Sequence, residues 1–486
     1  MRDWRGRLAA ALAMAGLCGA AAAATPPLHP CRIDGIPNEL QCGSLERPLD
    51  PARPAGVKIA VHYLVVPAMA RNKQPDAVLM LAGGPGQSAI DVAARVLPRL
   101  NRLNNRRDLV FIDQRGTGRS APLTCADESR LTVTEQLDAE AQFRRLDACR
   151  AALEKLPYGD LRFFTTTLAM QDMDAVRDRL GVPQWNLVGA SYGTRAALEY
   201  LRQFPARVRR TVIDGVAPPD MVLPASFSTD GQAALDKLFD AHARTHPGLR
   251  ADWRQLLASL PRPVTVAHPL TGTPERFTVD RELLLRAVRP PLYQPALAAA
   301  LPAALHAAAH DGRFDGLFGL TAAFAGGKGM ALAMGMHFSV ICAEDMPRLA
   351  QAADAPGADF GTGGADLYAR VCRSWPRGDV PAAFYRVPPA PSPVLVLSGG
   401  ADPATPPRHG ERVARALAAG QPGRVQHLVA PEAGHGVMAV GCVRDLVFRF
   451  IDAKTDAAAL PQDGGCATRI PRPLAFQPVQ APGAAR

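Results

Sequence analysis

Residues 187–193 read LVGASYG, a single hydroxyl between two glycines directly after an apolar run that starts at Trp185. A strand that runs into G-x-S-x-G and then into a helix is a nucleophile elbow, a turn so tight that small residues must flank the serine. The hydroxyl of Ser191 is then presented at the edge of a sheet. A helix-forming stretch over 194–204 supplies the second half of the pattern.

A serine hydroxyl attacks a carbonyl only when a neutral imidazole takes its proton, and the imidazole needs an acid to hold its tautomer. Downstream, VLVLSGGADPATP puts Asp402 in the loop after a strand, and VQHLVAPEAGHGV puts His435 in a glycine-flanked loop after the next strand. Serine, acid, histidine is the chain order in which an elbow of this kind finds its partners. Asp214, after an earlier strand, is the alternative acid. His427 falls inside a strand and reads as a packing or surface residue.

Acyl transfer also needs donors for the oxyanion of the transition state. LMLAGGPGQS, residues 79–88, is a glycine-rich loop behind a strand, and the Gly84 N–H with the Tyr192 N–H would form the hole. These glycines lack the GK[ST] ending of a phosphate-binding loop.

Apolar runs rich in Val, Leu and Ile predict strands over 57–66, 77–82, 109–113, 185–189, 211–214, 394–398 and 425–429. Helical stretches such as 168–180 and 194–204 lie between them. That alternation predicts an α/β fold, a mostly parallel central sheet flanked by helices, with ligands at the carboxyl ends of the strands. The interval 218–391 breaks the pattern: it is Ala-, Leu- and Pro-rich, with helical segments over 231–244, 280–288 and 295–310. It reads as a large helical cap insertion, a lid over the ligand side. The predicted division is a core over 25–217 and 392–466, the cap over 218–391, and a loose tail over 467–486.

The 486 residues are 48% hydrophobic and 21% charged, as in an ordinary globular chain. The first 24 residues run from arginines through an apolar stretch to an alanine tract, the order of a signal peptide with cleavage before Thr25. Without it the net charge of +10 falls to about +8, since Arg2, Arg5 and Arg7 leave with Asp3. The basic residues are scattered rather than clustered with aromatics, which excludes a nucleic-acid footprint. No later run is long enough for stable membrane insertion.

Eight of the nine cysteines remain, an even number that fits export to an oxidising periplasmic or extracellular compartment. They fall as neighbouring couples, predicting 31 with 42, 125 with 149, 342 with 372, and 442 with 466. No CxxC or HExxH spacing marks a metal centre, and no cofactor is expected.

GGPG at 83–86, DQRGTGRS at 113–120, GASYGT around Ser191, and the Asp402 and His435 loops together resemble the proline iminopeptidase and tripeptidyl aminopeptidase group of α/β-hydrolases. The resemblance spans most of the chain beyond the leader. It implies a secreted serine exopeptidase acting on peptides with free N-termini. Relatives read the substrate ammonium with acidic residues of the cap, which points to Glu344 and Asp345 in HFSVICAEDMP, with Glu344 nearest the group's pattern. One departure stands out: iminopeptidases often carry His before GGPG, and here it is Ala82. That favours the tripeptidyl branch. A carboxylester hydrolase with the same triad is the alternative activity, and a hydrolase-fold binding protein without catalysis is the third reading.

Overall fold

The computed structural model describes residues 28–128, 131–325 and 331–474. The leader over 1–24 lies outside them, as does the tail from 475 onward. Eleven strands are described: β1 (His29–Cys31), β2 (Leu40–Pro48), β3 (Lys58–Val66), β4 (Ala77–Leu81), β5 (Leu109–Ile112), β6 (Trp185–Ala190), β7 (Val208–Asp214), β8 (Arg262–Ala267), β9 (Pro274–Val279), β10 (Val394–Gly399) and β11 (Val425–Ala430). Nine of them form one sheet in the order β1-β2-β3-β5-β4-β6-β7-β10-β11. From β5 to β11 every pairing is parallel. Every strand expected from the sequence is present, and β1 and β2 extend the sheet antiparallel beside β3.

The central strands are buried on both faces, as a parallel sheet between helical layers requires. Leu79, Leu81, Val110, Leu187, Ile213 and Val396 enter one hydrophobic cluster. Their alternates Val78, Met80, Phe111, Val188, Val212 and Leu397 enter the other. Period-two alternation thus feeds two cores from single strands.

Between β7 and β10 the described residues add no strand to this sheet. They form helices, among them Leu223–His242, Leu249–Ala258, Arg281–Leu292 and Met334–Glu344, and an antiparallel pair of β8 with β9. The insertion, expected to be helical, also contains that hairpin, whose Val264, Val266, Phe277 and Val279 alternate into a separate cluster with Leu235, Trp253 and Leu305. The helix Met334–Glu344 departs differently: Met336, Phe338, Val340 and Cys342 pack into the core of the main sheet, with Cys372 and Trp375.

Disulfides join Cys31 to Cys42, Cys125 to Cys149, Cys342 to Cys372 and Cys442 to Cys466, the four expected couples. The described start of the tail is anchored, not loose. Ala467 is buried in the core, and Arg472 pairs with Glu432 at 2.7 Å. Among the described residues no helix is long and apolar enough to cross a membrane.

Candidate active site

Five loops leave the carboxyl ends of the parallel strands β4, β6, β7, β10 and β11, and because those strands are neighbours the loops meet. The loop after β6 is Ser191, with φ 55° and ψ −125°, followed at once by the helix Tyr192–Gln203. A positive φ is strained for a residue with a side chain, at a cost of about 1–3 kcal/mol. The surroundings force it: a Cβ on Gly189 would lie 2.4 Å from the Gly193 oxygen, and one on Gly193 would lie 2.1 Å from the Leu81 oxygen. Both glycines are therefore steric necessities of the turn. The Ser191 N–H donates to the Asp214 carbonyl at 2.9 Å, and its side chain makes no capping bond to its own helix.

The loops after β10 and β11 are zipped together, the Gly400 N–H bonding to Ala430 O and the Ala401 N–H to Ala433 O, each at 2.9 Å. This registration sets His435 Nδ1 2.8 Å from Asp402 Oδ2. The other Asp402 oxygen accepts the N–H groups of Ala404 and Thr405, and the Thr405 hydroxyl donates to Oδ2. Burial raises the Asp402 carboxyl, but His435 and these donors outweigh it and hold the group below its ordinary value. Burial likewise opposes a charge on His435; the Asp402 charge and hydrogen bond outweigh it and raise the imidazole above 6.5.

Asp214 has a different task. Its carboxylate accepts the N–H groups of Val437 and Met438 at 2.7–2.9 Å, which fixes the backbone just past His435. Burial pushes it up to about 6 against those bonds. His427 lies in β11 and bonds Ser398 Oγ at 2.9 Å, a packing role.

The loop after β4 brings Gly83 against the serine, where an added Cβ would approach Ser191 Cβ to 3.3 Å. Gly84 follows at φ +107°. Tyr192, the first residue of its helix, has an N–H with no acceptor one turn earlier. The motif DQRGTGRS is the scaffold behind this loop. Buried Asp113 accepts Ser88 Oγ and Ile90 N at the loop's end and Arg119 N in its own turn. Arg115 forms a bidentate pair with Asp172, both nearly sealed from solvent. Gln114 donates to the Tyr192 hydroxyl at 3.0 Å.

The structure corrects the expectation for Glu344 and Asp345. Both side chains are fully buried and face Arg195, four residues after Ser191 on the same helix. Arg195 holds Asp345 through two bonds of 2.8 and 3.2 Å, and Asp345 also accepts the Leu223 N–H. Glu344 accepts the Thr166 N–H and hydroxyl at 2.7 and 3.0 Å, and that hydroxyl lies 2.6 Å from the Tyr192 hydroxyl. Neither acid is open to a substrate ammonium in this arrangement. A guanidinium inside this packed helix demands buried counter-charge; the arginine in SYGTRAAL signals that need, though not which acids meet it.

His337, which the sequence reading passed over, begins the same motif. Its Nδ1 is 3.0 Å from Pro85 O, so it carries the proton there, and its Nε2 accepts from the Tyr368 hydroxyl at 2.9 Å. Burial lowers its pKa and keeps it neutral. The insertion between β7 and β10 also touches the Asp402 and His435 loops directly. The His435 N–H donates to Tyr293 O at 2.9 Å, the Tyr293 ring meets the imidazole edge-on at 5.1 Å, and Lys237 Nζ donates to Gly400 O at 3.0 Å.

A family model described as the alpha/beta hydrolase fold matches residues 76–441. The chain belongs to the α/β-hydrolase fold family. Among curated proteins, serine protease Hip1 of Mycobacterium tuberculosis is 32% identical over 242 residues, covering 45% of this chain and 46% of that protein. The tripeptidyl aminopeptidase of Streptomyces coelicolor is 32% identical over 208 residues, covering 39% and 37%. Carboxylesterase B of M. tuberculosis is 28% identical over 220 residues, covering 42% and 41%. The aligned part is less than half the length of each of these relatives. Among solved structures, a proline iminopeptidase of M. smegmatis is similar at TM-score 0.37 and 17% identity, covering 84% of this chain and 97% of that one. The tripeptidyl aminopeptidase resemblance read from the motifs agrees with the alignment to the Streptomyces protein of that name.

Proposed function

We propose that this α/β-hydrolase is an exported serine aminopeptidase, cutting near free N-termini to release single residues or short peptides through an acyl-enzyme. Ser191 attacks the scissile carbonyl, His435 takes its proton and returns it to the leaving amine, and Asp402 holds the imidazole tautomer. The N–H groups of Gly84 and Tyr192 stabilise the oxyanion. The observation that carries this reading is the 2.8 Å contact of His435 Nδ1 with Asp402 Oδ2, at the sheet edge where the strained turn presents Ser191. The relatives named serine protease and tripeptidyl aminopeptidase support the peptide substrate. Four disulfides support export.

Ser191→Ala should abolish cleavage of free-amine peptide arylamides while the fold persists. Retention of the rate would refute the assignment.

A second reading, a carboxylester hydrolase, is favoured by the burial of Glu344 and Asp345 against Arg195, since two candidate ammonium contacts are already neutralised. Comparing a tripeptide arylamide with its N-acetylated form separates the two. A peptidase that reads the amine rejects the blocked substrate, whereas an esterase prefers esters whatever their N-terminus.

A further inference from the structure

The cap carries a second cluster of chemically capable side chains that the triad does not use. The sequence His306-Ala-Ala-Ala-His310 spans the end of the helix Leu301–His306 and the π-helical turn Ala307–Asp311. Its two rings lie 4.4 Å apart. Asp252, in the first turn of the neighbouring helix Leu249–Ala258, reaches both: Oδ2 is 2.9 Å from His306 Nδ1, and Oδ1 is 2.8 Å from His310 Nε2. The three ligand atoms all lie within 4.8 Å of one another.

We propose that Asp252, His306 and His310 bind a divalent transition-metal ion, Zn2+ being the best match. Two imidazoles with a single carboxylate suit zinc and its neighbours, whereas calcium and magnesium require oxygen-rich sets. Zinc bonds of about 2.0–2.1 Å in a tetrahedron place neighbouring ligand atoms roughly 3.4 Å apart. The three ligand atoms, now within 4.8 Å of one another, need their spacings to change by at most about 1.4 Å to reach it. Both rings are free to make that move, with 62% of the His306 side chain and 41% of the His310 side chain exposed. Their backbones are not: Leu305, Ala308 and Ala309 on one side and Trp253 and Leu256 on the other are buried in the cap cluster. The donors are held in place while their tips face solvent, and a water completes the shell. A π turn is an uncommon helical distortion that recurs at functional sites, and here it carries His310. Bound metal would clip two cap helices together and stabilise the cap by linkage.

The test uses the full chain purified without an affinity tag, titrated with Zn2+ by calorimetry and followed by thermal melting. The expected result is one Zn2+ per chain and a rise in Tm. The double variant His306→Ala, His310→Ala, with its unliganded Tm close to wild type, loses both. Asp252→Asn binds at least about 10-fold more weakly, and His435→Ala, which disables the other His–Asp pair, still binds. Wild type that takes up no Zn2+, a double variant that binds like wild type, or binding lost only in His435→Ala would each overturn the proposal.

Discussion

His337 Nδ1 lies 3.0 Å from the carbonyl oxygen of Pro85, so a helix far along the chain holds the GGPG loop by a buried hydrogen bond. The same helix grips that loop again where the Ala333 N–H donates to Gly86 O at 2.9 Å. At its other end Glu344 reaches the Tyr192 hydroxyl through Thr166. One helix, Met334–Glu344, therefore braces both residues proposed to supply the oxyanion hole.

Removing the first brace should affect turnover more than binding. His337→Phe keeps an aromatic ring but leaves Pro85 O without its donor, and the loop carrying Gly84 loses its register. Misplacing one oxyanion donor costs up to about 10²–10³ in rate. The expected outcome is kcat down by about 10-fold or more with KM changed little. Steady-state kinetics on a peptide arylamide check it, with His337→Gln, which can still donate, recovering part of the loss.

Glu344 should make stability depend on pH in an unusual direction. Burial, partly offset by Arg195 and Thr166, pushes its carboxyl from an ordinary 4.5 up to about 7. Between those values the folded chain binds a proton that the unfolded chain has released, so this group's contribution to stability falls as pH rises through that window. Glu344→Gln mimics the protonated acid and abolishes the slope. The Tm of the variant relative to wild type is expected to climb from about pH 5 to about pH 8. By contrast, Asp345→Asn breaks the bidentate pair with Arg195 and should cost about 3–5 kcal/mol. Thermal melts across pH distinguish the two.

How much of this was legible depended on whether the physics was local. The turn at Ser191 was readable because its geometry is imposed by residues two positions away, Gly189 and Gly193. The Asp402 and His435 loops were readable because each follows a parallel strand, and parallel neighbours deliver their loops to one edge. The contact that distinguishes Asp402 from Asp214 was not readable, since both aspartates follow strands and the choice rests on the zippering of the β10 and β11 loops. The misreading of Glu344 and Asp345 had the same origin. Their partner Arg195 is 149 and 150 residues away, and pattern along the chain carries no information about which buried charge meets which. His337 was hidden because a histidine in an apolar helix looks alike whether it fills space or holds a distant carbonyl.

The cross-link Cys342–Cys372 ties the bracing helix to the segment containing Trp375, whose indole donates to Ser339 Oγ at 3.1 Å. Replacing both cysteines by alanine should cost roughly 2–4 kcal/mol. Because the helix supports both proposed oxyanion donors, activity should decline at temperatures below the onset of global unfolding. Replacing Cys31 and Cys42, at the sheet's far edge, should lower Tm without that early loss. Parallel activity and circular-dichroism melts of the two double variants check the contrast.

The two aspartates near His435 should separate in a pH–rate profile. His435 must be neutral to act as base, and with Asp402 beside it its pKa stands above 6.5, so the acid limb of kcat/KM should lie above that value. Asp402→Asn removes the charge and, with its one oxygen held by the Ala404 and Thr405 N–H groups, turns an amide NH2 rather than an acceptor toward His435 Nδ1. The limb should move to lower pH, and the rate on the plateau should drop by about 10⁴, as expected when the imidazole loses its tautomer control. Asp214→Asn leaves the Asp402 contact in place and loses only part of the hold on Val437 and Met438. Its limb should shift down less, because the Asp214 charge is the weaker support for protonated His435, and its plateau rate should stay far above that of Asp402→Asn. A larger plateau loss in Asp214→Asn than in Asp402→Asn would transfer the acid role to Asp214.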